Sequence, residues 1–192
     1  MARSDAVQNR QRIMEAFHRA TRTDQPGLPT MSDIVKHSGL GRGTVYRHFP
    51  DIGSLAFSFM AVGYEALFDQ TRNALRAARS KQETRAALKD HLLRYRAYSK
   101  EHLSILIRPE CILSDGYILA STSNRHTVRR ALRDIAAPKI IEPILLETMS
   151  DLIARSAEPA NIGVSNITFE MDDTIAETAI DMALTLIDHV VH

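Results

Sequence analysis

Apolar residues recur three and four positions apart along nearly the whole chain, which is the spacing of one helix face and not the alternation of a strand. Ile13, Phe17 and Ala20 share such a face early on, and Leu88, Leu92, Tyr95 and Leu103 share one later. The pattern predicts an all-α protein of about nine helices. The first is expected over residues 5–21, with a loop after it at Pro26, Gly27 and Pro29. Short helices are expected over 31–37 and 42–49, separated by a turn at Ser38-Gly39-Leu40-Gly41 and closed by Pro50. A long proline-free helix follows over 52–78, with Leu55, Phe59, Val62, Ala66 and Leu67 on one side. Helices over 82–102 and 123–136 flank a segment near 104–113 and a loop around Asp115-Gly116. The next helix ends near Ser156. It either begins at Pro138 and bends at Pro143, or starts with Pro143 in its first turn, where the missing amide costs nothing. Residues 158–170, with Pro159, Asn161, Gly163 and Asn166, read as a loop before a last helix over 172–191.

Charge changes this picture by its position. The chain of 192 residues carries a formal net charge of +1, but residues 1–50 hold +4 and residues 51–192 hold −3. From Pro138 onward there are 2 basic and 10 acidic residues, so a polyanion is drawn to one end and repelled from the other. Cys111 is the sole cysteine; it excludes an intrachain disulfide, and no Cys/His cluster has zinc spacing, so no metal or cofactor is expected. The charged first 22 residues lack a signal-peptide pattern, and the longest uncharged run around the apolar cluster, 52–64, is 13 residues against the roughly 20 that span a membrane. A cytoplasmic protein is expected.

The two short helices carry the chemistry. Thr30 can cap the first while Asp33, three residues on, answers its backbone and suits the positive end of the helix dipole. Gly39 can take the positive φ of the turn, and Ile34, Val35, Leu40, Val45 and Phe49 can pack inward. The opposite face then presents Arg42, Gly43, Tyr46 and Arg47, with Thr44 and His48 at its margins. Arginine forks match guanine edges, threonine meets a thymine methyl or a phosphate, and tyrosine and histidine donate to phosphate oxygens. A helix-turn-helix that enters the DNA major groove is the expected unit.

The run Thr30-Met31-Ser32-Asp33-Ile34-Val35-Lys36-His37-Ser38-Gly39-Leu40-Gly41-Arg42-Gly43-Thr44-Val45-Tyr46-Arg47-His48-Phe49, followed by Pro50-Asp51 and Leu55, resembles the DNA-binding signature of the TetR family of bacterial transcriptional regulators. The likeness rests on Gly39, Gly43, Tyr46, His48 and Phe49 at fixed offsets and covers about residues 5–60. It implies a homodimeric regulator, usually a repressor, with a DNA-binding domain over 1–51 and a helical regulatory, ligand-binding and dimerisation domain over 52–192. It places Lys36, Arg42, Gly43, Thr44, Tyr46, Arg47 and His48 at the DNA. Two positions depart from the pattern: Gly41 stands where a capping serine or threonine is common, and Ile52 stands where a phosphate-binding lysine is common.

The resemblance also implies a ligand chamber in the remaining helices. Phe59, Met60, Tyr64, Tyr95, Tyr98 and Tyr117, bordered by Arg108 and His126, are its expected lining for an unidentified small-molecule effector. Each aromatic taken alone fits a packed core better than a pocket wall. The apolar faces Ile140, Ile141, Ile144, Leu145, Met149, Leu152, Ile153 and Ile175, Ala179, Met182, Leu186, Ile187, Val190 are broad, with Asp173, Glu177 and Asp181 opposite the second. By resemblance these last two helices join a second copy as a four-helix bundle, on a palindromic operator. The glycines near residue 40 do not form a phosphate loop, since Thr44 stands where GxGxxG requires glycine, and no GxSxG, HExxH or activated cysteine is present. No catalytic residues are expected. An enzyme or carrier that keeps the helix-turn-helix as scaffold, and a nonspecific architectural binder, are the readings from other classes.

Overall fold

A computed structural model describes residues 2–22, 29–158, 177–178 and 180–185. Among these there is no strand; nine helices have defined bounds, and 180–185 are also helical. The expected loop at Pro26-Gly27, the loop over 159–170 and most of the last helix, including Ile175, Ala179, Leu186, Ile187 and Val190, lie outside the described residues. The chain forms two compact units, one of Met1–Val62 with Ser104–Ile118, the other of Gly63–Leu103 with Leu119–His192.

In the first unit α1 (Ala2–Thr21), α2 (Met31–Ser38) and α3 (Arg42–His48) form a three-helix head. Ile13, Ala16 and Phe17 of α1 are fully buried, as are Ile34 of α2 and Val45 of α3. Each such side chain, removed from water, contributes roughly 1.5–3 kcal/mol when it is the size of Val, Leu, Ile or Phe. Val35 and Leu40 are only partly covered. Phe17 also packs on Phe59 of α4 (Ile52–Ala77), with ring centroids 5.5 Å apart. The expected segment after residue 103 consists of two single-turn helices, α6 (Leu103–Leu106) and α7 (Pro109–Ile112). Leu106 and Cys111 are buried there, and a Cβ on Gly53 would run into the Glu110 carbonyl, so α4 begins against the α7 backbone.

The expected loop at Asp115-Gly116 is corrected. Both residues lie in the first turn of α8 (Asp115–Ala136), which starts eight residues earlier than its periodicity suggested. The Ser114 hydroxyl accepts from the Tyr117 amide at 3.2 Å and so caps the helix, while Asp115 suits its positive end. Gly116 is there for close packing: a Cβ would strike the Phe57 ring.

The second unit contains the rest of α4, α5 (Lys81–Glu101), the remainder of α8, and α9 (Pro143–Ser156). Pro143 sits in the first turn of α9 because Glu142, accepting from the Leu145 amide at 2.9 Å, caps the helix there. The core is apolar at Leu88, Leu92, Val128, Leu132, Leu146 and Ile153, yet a polar chain runs through it. The Thr71 hydroxyl lies 2.9 Å from His91 Nδ1, the Asn124 oxygen lies 3.0 Å from His91 Nε2, and the Asn124 amide donates to the Ala154 carbonyl at 3.1 Å. One imidazole thereby links α4, α5, α8 and, through asparagine, α9. Burial holds His91 neutral, pushing its pKa down to about 4. Arg125 pairs with Asp151 and Arg129 with Glu147 across α8 and α9, and Lys89 pairs with Glu177 and Asp181 at 3.1 and 2.7 Å. Two acids of the last helix thus answer α5.

Candidate nucleic-acid interface

The entry to α2 is a reciprocal cap. Asp33 N donates to the Thr30 hydroxyl at 3.2 Å, and Thr30 N donates to the Asp33 carboxylate at 2.9 Å. The Thr30 hydroxyl and then its amide hold the Asp33 carboxyl below the usual carboxylate range. At the other end Gly39 has φ 66°, the left-handed conformation that lets the chain reverse within one residue. Ser38 keeps the turn tight, its hydroxyl donating to the Val35 carbonyl at 3.2 Å and accepting from the Leu40 amide at 3.3 Å. Arginines of α1 close the motif from behind: Arg12 donates to the Ser38 carbonyl at 2.9 Å, Arg19 to the His37 carbonyl at 3.3 Å, and the Arg10 guanidinium stands 4.5 Å over the Phe49 ring. Sequence reasoning missed these roles, because an exposed arginine that clamps a carbonyl has the same pattern as a solvated one.

The recognition helix α3 starts at Gly41 with no side-chain cap, its first bonds running from Thr44 N and Val45 N to the Gly41 carbonyl at 2.9 and 3.1 Å. Val45 and Phe49 face the core. Arg42, Gly43 and Arg47 are exposed and Thr44, Tyr46 and His48 half-exposed, so the six expected α3 contact residues lie on one short helix. The Arg42 guanidinium stacks over the Tyr46 ring at 5.2 Å. Lys36 is exposed on α2. At the start of α4, Asp51 accepts from the Ser54 amide at 2.7 Å; this carboxylate and the half-buried Ile52 occupy the end where a lysine would offer a cation.

The expected ligand-lining residues fall in both units. Phe59, with Phe17 and His18, belongs to the first unit, as do buried Met60 and half-buried Arg108 and Tyr117. Tyr64, Tyr95 and Tyr98 cluster in the second unit, where Tyr64 and Ser99 hydroxyls meet at 3.1 Å and Tyr98 packs edge-on to Tyr64 and His102. Burial raises the Tyr98 phenol to about 12 and lowers His102. Burial, with Glu110 and Asp51 nearby, pushes the Cys111 thiol up to about 11, so it is a packing group rather than a nucleophile. His126 is exposed elsewhere, on a groove of about 730 Å³ lined by Phe68, Leu75, Leu119, Thr122 and Arg130.

Residues 29–59 match the family model for bacterial regulatory proteins of the tetR family. An HTH-type transcriptional regulator of Staphylococcus aureus (strain bovine RF122 / ET3-1) is 33% identical over 100 residues, 51% of this chain and 53% of that protein. Over this segment the chain is similar to regulators of the TetR family. It spans about half the length of the curated relatives it matches. Solved TetR-type structures agree with the fold over nearly the full length: the TetR family repressor AlkX from Dietzia sp. strain DQ12-45-1b at 21% identity and TM-score 0.51, covering 95% of this chain and 97% of that one, and the fatty acid degradation regulator FadR from Bacillus halodurans at 14% and 0.60, covering 93% and 94%. At such identities the likeness is one of fold. Across the TetR match the clamped turn and the outward face of α3 coincide with the part of the sequence that carries the family pattern.

Proposed function

We propose that the chain is a homodimeric, sequence-specific DNA-binding transcription regulator, a repressor that leaves a palindromic operator when a small-molecule effector binds. The observation that carries the reading is the outward face of α3: Arg42, Gly43, Thr44, Tyr46, Arg47 and His48 stand on a helix fixed from behind, with Lys36 beside them on α2. Repression is favoured by AlkX, which is described as a repressor. The division of labour is that of residues 1–51 reading DNA and 52–192 regulating and pairing. α4, continuous from residue 52 to 77, opens the second part directly after the DNA-reading segment.

Pairing through the last two helices is supported by α9. Its inner face buries Leu146, Met149, Ile153 and Ala154, while Ile144 and Leu152 on the other face are 76% and 65% exposed, and Met182 is 66% exposed. Apolar residues left open at helical spacing suit a second copy. The groove beside His126 is large enough for a drug-sized effector. Such an effector acts only through its differential affinity for the two conformations.

The test is selection of random duplex DNA by the purified chain, followed by sequencing. Recovery of a palindrome with half-sites about 10 base pairs apart, or a multiple of that, is expected. No enrichment at low salt by folded protein refutes sequence-specific reading. Sedimentation that shows only monomer at micromolar concentration refutes the pairing.

A further inference from the structure

The arginines of α8 are not treated alike. Between Gly116 and Arg133 the helix carries Arg125, Arg129, Arg130 and Arg133 and no acidic residue. α9 answers two of them, Asp151 pairing with Arg125 and Glu147 with Arg129. Arg130 lines instead the groove between α4 and α8, where it is exposed and has no ion pair among the described residues. His126, one turn earlier on the same side of the helix, brings an imidazole into the same groove. α4 contributes Arg72, whose partner Asp69 lies one turn back on its own helix. Both of those side chains are exposed, so the pair is worth little and Arg72 can turn to a second carboxylate. The apolar wall comes from buried Leu75, from Leu119, which is 67% exposed, and from half-buried Phe68. The Phe68 ring is held from behind by His91 at 5.7 Å and Tyr95 at 6.1 Å between centroids.

We propose, resting on the reading of this groove as the effector site, that its ligand is an organic monoanion: a carboxylate on a flat apolar body, the head held by Arg130 with Arg72 and His126, the body laid on Phe68 and Leu119. A guanidinium fork meets a carboxylate with two parallel hydrogen bonds, which gives direction as well as charge. Arg125 and Arg129 cannot serve, because acids of α9 already occupy them. A ring system lies flat against Phe68, whose position the core fixes. Glu65 also lines the groove, about 10 Å back along α4 from Arg72. Its carboxylate repels a second negative charge there, so a monoanion is preferred to a dianion of that length.

Three probes that share one body and differ in the head test this: naphthoate, neutral naphthamide and cationic naphthylmethylamine. The chain has no tryptophan, so naphthalene fluorescence reads their binding directly. Naphthoate should bind at least about tenfold more tightly than the amide, and the amine more weakly still. Arg130→Gln should bring the anion down to the level of the amide and leave the amide unchanged, with an unchanged melting temperature showing that the variant is folded. Arg129→Gln removes the same charge from the α9 side of α8 and should keep the preference within about twofold of wild type. Equal binding of anion and amide, tighter binding of the amine, a preference that survives Arg130→Gln or is lost equally in Arg129→Gln, or no binding of naphthoate at millimolar concentration overturns the anion site. Affinity for the duplex recovered from random DNA separates this from the effector reading. If naphthoate binds through Arg130 and DNA affinity is unchanged at saturation, the anion site stands and the effector reading falls. If the amide binds as well as the anion and weakens DNA binding, the effector reading stands without the anion.

Discussion

The head and the second unit solve the same problem, the packing of helices, with different interiors. Around α1, α2 and α3 the core is hydrocarbon at Ile13, Phe17, Ile34, Val45 and Phe49, and polar groups stay at the rim, where Arg12 and Arg19 cover turn carbonyls. In the second unit Thr71, His91, Asn124, Ser99 and Ser150 are fully buried among leucines. Hydrocarbon gives adhesion without direction, whereas a buried donor or acceptor tolerates few partners and so fixes which helix positions face each other. The head is held by burial, with its orientation set by a turn; the second unit is held in register by hydrogen bonds.

The largest difference should come from emptying the head. Phe17→Ala is expected to cost about 3–5 kcal/mol, enough to unfold the three-helix head and, with it, the proposed DNA binding. Circular dichroism melts and operator titration read both losses, and a variant that still binds at wild-type strength would contradict the account of that core. Next comes acid. Above pH 6.5 His91 is neutral in folded and unfolded chains alike, while between 6.5 and about 4 the unfolded chain takes up a proton that the folded one refuses. Stability is therefore full above 6.5 and falls with pH through that window, by up to about 3 kcal/mol. His91→Gln should flatten this slope in urea unfolding at pH 7, 5.5 and 4.5, and an unchanged slope would remove His91 as its source. Thr30→Ala, which breaks the reciprocal cap, is expected to lower stability by about 1 kcal/mol, visible as a shift in the denaturant midpoint. Smallest of all is Lys89→Gln, whose ion pairs with Glu177 and Asp181 are exposed; the midpoint should barely move, and any shift should vanish in molar salt.

Legibility in the sequence follows the same divide. The ends of α2 and α3 are within a residue of expectation because a cap, a turn glycine and a proline mark them. Periodicity alone marks α8 only from residue 123, since Asp115-Gly116 has the composition of a turn and only the Phe57 ring explains its glycine. The all-α class and the outward face of α3 were plain from periodicity. The ligand-lining set rests on the resemblance alone: large aromatics fill cores and line cavities with the same pattern, and these eight fall in both units. His91, Thr71 and Asn124 left no signal at all, because each alone is an ordinary polar residue on an amphipathic helix.

The Asn124 link has a spectroscopic consequence. Its amide nitrogen is committed to the Ala154 carbonyl, so its oxygen is the atom that faces the ring, and only an Nε2–H tautomer of His91 satisfies it. That tautomer makes Nδ1 an acceptor, so the Thr71 hydroxyl, placed 2.9 Å from both Nδ1 and the Leu67 carbonyl, must turn its proton to the ring. The two imidazole nitrogen resonances of His91 accordingly report whether α9 is seated, which gives a single-residue probe of that helix in a protein titrated with DNA or with candidate effectors.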